Sequence, residues 1–240
     1  MMDYRGFIKD NSEPEYAAFS SKLIPNTRLK LMGVRIPKLR GLAKTLIRDG
    51  SWRAVLEDDI ENFEEHTLHG LIIATAPVGL DERISMTERF LPTIDNWSVC
   101  DSFSGSWSFH ENESAEAWNY LASLMGSDQP WKMRFSLVSR MSSFKDPEHS
   151  ACIVDDIVSH DNPEYYYRMG AAWAFSFCFI RNRDYSLKAL ESKGMEVWTH
   201  NKSIQKIRES LRVSAEDKVT VSGLRIRNRR EDCPSSCDGP

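Results

Sequence analysis

Three short stretches hold residue types whose spacing could do chemistry. In Asn96-Trp97-Ser98-Val99-Cys100-Asp101 an indole and a carboxylate stand four positions apart, which on a helix places them one turn apart on the same face. Aspartate is a poor helix-interior residue, because its side chain competes for backbone groups. A mid-helix Asp101 beside aromatics therefore asks for an explanation, although residue types alone favour the plainer one, an exposed Asp101 next to a core Trp97. In Tyr165-Tyr166-Tyr167-Arg168-Met169-Gly170-Ala171-Ala172-Trp173 aromatic and small residues share a segment. Such a segment is usually buried, yet Trp, Tyr and Arg together could supply stacking and cation–π surfaces. In Trp131-Lys132-Met133-Arg134, bases open a helix against its dipole and need a partner, either a phosphate or a neighbouring acid.

Other chemistries rank low. His66 and His69, three apart beside Glu65, read as solvated structural histidines, and none of the six histidines has a trusted metal-ligand spacing. No glycine-rich phosphate loop, nucleophile elbow or helix-borne zinc motif occurs. No metal or organic cofactor is expected. The five cysteines suggest neither a disulfide framework nor a zinc site. Cys233 and Cys237 lie in a Pro/Ser/Gly tail, 231–240, expected to be disordered.

The elements that must position these residues are helices. Apolar residues recur at three and four, as in Val34, Leu39, Leu42, Ala43, Leu46 and Ile47, or Leu68, Leu71, Ile72 and Ala76, and sustained strand alternation is hard to find. Prolines fall between or at the start of periodic runs, and Gly50, Gly126 and Gly194 sit at expected C-terminal caps. Asp95, Ser127 or Asp128, Asp146 and Asn162 offer N-cap oxygens. Fourteen helices are expected, among them 36–49, 62–76, 96–108, 130–143, 163–180 and 198–212. Starts near Trp97, Trp131, Pro163 and Trp198 recur roughly every 34 residues, close to the period of two-helix repeats. The expectation is a single all-α domain over 1–230, a bundle or a solenoid of helix pairs.

The 240 residues, 41% hydrophobic and 28% charged, suit a soluble globular chain. No membrane span or secretory leader is expected, which points to the cytoplasm. Net charge is −4, which alone argues against a nucleic-acid binder, but the charges are segregated. Arg28 to Arg53 holds eight bases against Asp49, Lys202 to Arg230 nine bases against three acids, and Glu57 to Glu65 six acids and no base. Such a chain can carry one basic face and an acidic back. Two solvated helix faces are the plainer alternative.

Four segments, in order, resemble the DNA alkylation repair family of AlkD-like proteins. They are Leu31-Met32-Gly33-Val34-Arg35-Ile36-Pro37-Lys38-Leu39-Arg40-Gly41-Leu42-Ala43-Lys44, the Trp97 to Asp101 element, Arg168-Met169-Gly170-Ala171-Ala172-Trp173, and Asn201 to Ser210. The likeness runs from about residue 15 to residue 225. It implies a curved right-handed α-solenoid of HEAT-like antiparallel helix pairs, whose concave basic face holds duplex DNA containing alkylated purines. Active members are glycosylases that remove N3- and N7-alkylated purines without flipping the base, unlike most glycosylases.

By this resemblance Asp101 stabilises an oxocarbenium-like sugar and positions water. Trp97 and Trp173 hold the cationic nucleotide, and Arg134 grips phosphate. Arg35, Lys38, Arg40, Lys44, Lys202, Lys206 and Arg168 supply salt-sensitive affinity. One departure stands out: active members carry an arginine three residues after the second tryptophan, where this chain has Ser176. The leading expectation is a cofactor-free, monomeric glycosylase. A catalytically inactive relative that binds damaged or branched DNA is the alternative, and a protein-binding helical scaffold is a third.

Overall fold

The computed structural model describes residues 2–25 and 27–227. Among them there are fourteen α-helices, a few single 3-10 turns and no strand. The tail containing Cys233 and Cys237 lies outside the described residues. Two compact units divide between Phe144 and Lys145.

The first unit holds α1 (Tyr4–Asp10), α2 (Pro14–Ser21), α3 (Ile36–Arg48), α4 (Trp52–Glu57), α5 (Phe63–Thr75), α6 (Leu80–Phe90), α7 (Trp97–Ser104), α8 (Ser114–Ser123) and α9 (Pro130–Ser143). The second holds α10 (Pro147–Ser159), α11 (Tyr165–Arg181), α12 (Arg183–Ser192), α13 (Val197–Glu209) and α14 (Ala215–Gly223). Pro14, Pro37, Pro130 and Pro147 lie in first turns, where a missing N–H costs nothing. The expected repeat starts coincide with α7, α9, α11 and α13 to within two residues.

The structure departs from the local signals in small ways. Asn96, rather than Asp95, caps α7 by accepting from the Val99 amide. Asp95 instead accepts from Thr27 Oγ1 and the Arg28 amide. Asp146 caps α10 as expected. Gly50 takes a left-handed φ of 79° after α3, whereas after α12 it is Lys193, not Gly194, that adopts one, at 53°. The helix expected to reach residue 108 stops at Ser104. There Ser104 Oγ donates back to Cys100 O and Ser106 Oγ to Ser102 O, while the Ser108 amide turns to Ala74 O.

In the first unit α3, α5, α7 and α9 pack in series, with α4 against α3 and α5, α6 on α5, and α8 on α9. Helix α5 is buried from Phe63 to Ala74. Gly70 lets it close on α6 and α7, because a Cβ there would lie 3.1 Å from the Phe90 ring and 3.3 Å from Phe103. Phe90 meets Phe103 edge-on at 5.0 Å, and Phe103 stacks on Phe135 at 4.8 Å. These rings key α7 to α9. In the second unit α11 is the hub, packed against α10, α12 and α13, and α14 covers α13.

The acidic run is solvated only in part, with Glu57, Asp58, Asp59 and Glu61 exposed. Glu64 and Glu65 are buried. Glu64 accepts from the amides of Met32, Gly33 and Val34 at 2.8, 2.7 and 3.1 Å. Glu65 accepts from the Glu61 amide and from Asn62 Nδ2. Asp58 takes the Tyr4 hydroxyl. His66 and His69 are likewise buried, not solvated as expected, because they lie on the helix enclosed by α3, α4, α6 and α7.

Candidate active site

Helix α7 and the neighbouring start of α9 build the site. Asp101 sits one turn after Trp97 on α7, and the Phe103–Phe135 stack sets the register that brings Arg134 of α9 opposite it. Arg134 Nε donates to Asp101 Oδ1 and Arg134 Nη2 to Oδ2, each at 2.8 Å. The arginine side chain is 6% exposed and the aspartate 17%. This is a planar, two-pronged pair at the edge of the interior, which fixes the carboxylate's orientation. Each carboxylate oxygen keeps acceptor capacity for another donor.

Asp101 is therefore not the freely exposed carboxylate favoured by residue type, and Trp97 is half-buried, not core. The Trp97 indole N–H donates to Leu23 O at 3.0 Å, anchoring the ring below the chain that leaves α2. An apolar cleft lies there, lined by Tyr16, Phe19, Leu31, Phe63 and Trp97 among others. Cys100, adjacent to Asp101, is fully buried, and burial pushes its thiol up to about 12. It packs as a neutral side chain and offers no thiolate.

Both bases at the start of α9 found acids. Lys132 Nζ pairs with Glu88 at 2.7 Å, as Arg134 does with Asp101. The bases expected to meet DNA divide by their partners. Arg35 forks onto Glu13 and lies 4.5 Å from the Tyr16 ring centroid, and Lys38 is 3.9 Å from the same Glu13. Arg40 donates to Ser106 Oγ. Arg40, Lys44 and Arg48 form an exposed stripe one turn apart on α3.

In the second unit, Trp173 is half-buried and meets Phe177 edge-on at 5.8 Å. Arg168 forks onto Asp161 and approaches Glu196 at 3.6 Å. Lys202 lies 5.5 Å from the Trp198 ring centroid and donates to Gln205, and Lys206 pairs with Glu209. Ser176 is buried, and its hydroxyl donates to Trp173 O at 2.7 Å.

The residue pattern did not disclose the Glu64 amide cradle or the Tyr16–Arg35 stack. A signal for the first was present in Leu31-Met32-Gly33-Val34. Gly33 has φ of 90°, and a Cβ there would lie 2.2 Å from Glu13 O. No group of three or more His, Cys, Asp or Glu among the described residues is arranged to hold a metal ion. No described helix is long and apolar enough to cross a membrane.

Among the described residues the fold is all-helical, and one helix face carries both an indole and an arginine-clamped carboxylate. The comparisons place the chain more narrowly. A profile of the DNA alkylation repair enzyme family matches residues 7–209, and the chain belongs to that family. The curated proteins contain no match to it.

Proposed function

We propose that this protein is a DNA glycosylase that hydrolyses the N-glycosidic bond of N3- and N7-alkylated purines in duplex DNA, without flipping the base. The observation that carries the proposal is the Asp101 carboxylate, held by Arg134 at 2.8 Å on both oxygens and set on the helix face that also bears Trp97. Membership of the DNA alkylation repair family supports it.

An N3- or N7-alkylpurine is already cationic, so it needs no protonation to leave. The C1′–N bond breaks with its electron pair going to the base, which departs neutral. Positive charge grows on the deoxyribose, and a preorganised carboxylate stabilises it in proportion to how little it must reorient. Water then bonds to C1′ and yields its proton to Asp101. Trp97 and Trp173 are the indoles assigned to hold the cationic nucleotide. Arg134 in this reading orients Asp101, a role added to the phosphate contact expected of it. Arg35, Lys38, Arg40, Lys44, Arg168, Lys202 and Lys206 supply backbone affinity, those with acid partners by exchanging carboxylate for phosphate. HEAT-like pairing belongs to the same proposal, supported by helices packed in series in the first unit.

The test is release of free 7-methylguanine and 3-methyladenine from duplex DNA by the full chain, beside Asp101→Asn. Release by the unmodified protein alone supports the assignment, and equal release by both removes Asp101 from it. Binding without release favours the alternative, a family member that binds damaged or branched DNA without excision. Ser176 is the observation on that side, with its hydroxyl turned to its own helix.

A further inference from the structure

A half-buried side of α11 carries a second constellation. Trp173, Phe177 and Arg181 follow at intervals of four, one turn apart on one face. The Arg181 guanidinium carbon lies 5.6 Å from the Phe177 ring centroid. From the chain between α13 and α14, Arg212 places its guanidinium carbon 5.8 Å from the same centroid. Phe177 is thus contacted by two guanidinium groups while its ring meets Trp173 edge-on.

The two cations differ in their surroundings. Arg181 is partly buried, which lowers its pKa, with Cys178, Arg212 and Asp146 contributing smaller electrostatic effects. Arg212 is exposed and forms no ion pair among the described residues, and its neighbour Leu211 is 98% exposed. Positive charge is thus gathered at this ring, since Arg212 acts on Arg181 as a like charge, and such a place favours an anion. The planar guanidinium of Arg212, with the ring behind it, is suited to a phosphate oxygen pair.

We propose that Arg212, supported by Phe177, is a phosphate-backbone contact of the second unit. The inference rests on the DNA-binding part of the reading above and not on excision.

The test is equilibrium binding of the full chain to a fluorescent, undamaged duplex across a series of NaCl concentrations. Arg212→Gln is expected to bind about tenfold more weakly at low salt and to flatten log K against log salt by roughly 0.9. Lys188→Gln, which removes one charge from exposed α12, should do less than half of either. Phe177→Leu, which keeps both charges but removes the ring, should lie between the unmodified chain and Arg212→Gln. Equal effects of Arg212→Gln and Lys188→Gln would mean only net charge matters and would overturn the proposal. So would an Arg212→Gln chain with unaltered binding, or an unmodified chain that does not bind duplex at low salt. A chain that releases no alkylpurine but shows the Arg212→Gln defect defeats the glycosylase reading and leaves this one standing.

Discussion

Arg134 meets Asp101 edge to edge, Nε on Oδ1 and Nη2 on Oδ2, both at 2.8 Å, from the neighbouring helix α9. The carboxylate enters any reaction with its orientation already set. The arginine in turn has a buried charge whose compensation includes that carboxylate.

Asp101→Asn keeps the side chain's shape and one acceptor but removes its charge. Release of 7-methylguanine is expected to fall by roughly two to three orders of magnitude, while duplex affinity measured by anisotropy stays within about threefold. Full activity in the Asp101→Asn protein would remove the electrostatic mechanism.

The same pair makes a prediction about stability. Breaking a buried pair from one side strands a charge, at a cost of about 3 kcal/mol. Arg134→Gln with Asp101→Asn removes both charges, so the double variant should be more stable than the two single losses sum to, by about 1 to 3 kcal/mol. Urea melts of the four proteins measure this, and simple additivity would show that the pair contributes no coupling.

His66 and His69 give a pH dependence. Burial holds both down to about 4, whereas in the unfolded chain they return toward about 6.5. Below 6.5 the unfolded state takes up protons that the fold refuses. Stability is therefore full above that pH and is lost as pH falls toward 4, by on the order of 2 kcal/mol per histidine at pH 5. The urea midpoint should drop between pH 7.5 and pH 5, and a variant with both histidines replaced by glutamine should lose most of that drop. An unchanged midpoint in the natural chain would show that the histidines ionise inside the fold.

Gly33 and Glu64 are one device seen from two sides. Gly33→Ala forces a β-carbon to within 2.2 Å of Glu13 O at a φ of 90°, and a loss of about 2 to 4 kcal/mol is expected. Glu64→Gln puts an amide donor where three backbone N–H groups converge, with an expected loss of about 2 kcal/mol. Thermal melts of each variant decide it, and a neutral Gly33→Ala would mean α2 shifts without cost.

All fourteen helices were legible because the signals that make a helix are local. A three-and-four apolar period, a proline in the first turn and a capping oxygen all act within a few residues. The overshoot of α7 to residue 108 shows where local reading fails, since Ser104, Ser106 and Ser108 spend their hydrogen bonds on ending the helix. The Trp97–Asp101 spacing was legible for the same reason, being one turn of one helix. Tertiary structure alone decided that Asp101 is gripped by Arg134, that Lys132 answers Glu88, and that Glu64 and His66 are interior groups rather than surface ones. Those partners lie about 30 or more residues apart or on faces whose burial depends on the neighbouring helix. A charge run states how many bases there are, but only packing assigns Glu13 to Arg35 and Asp161 to Arg168 while leaving Arg212 without an acid among the described residues.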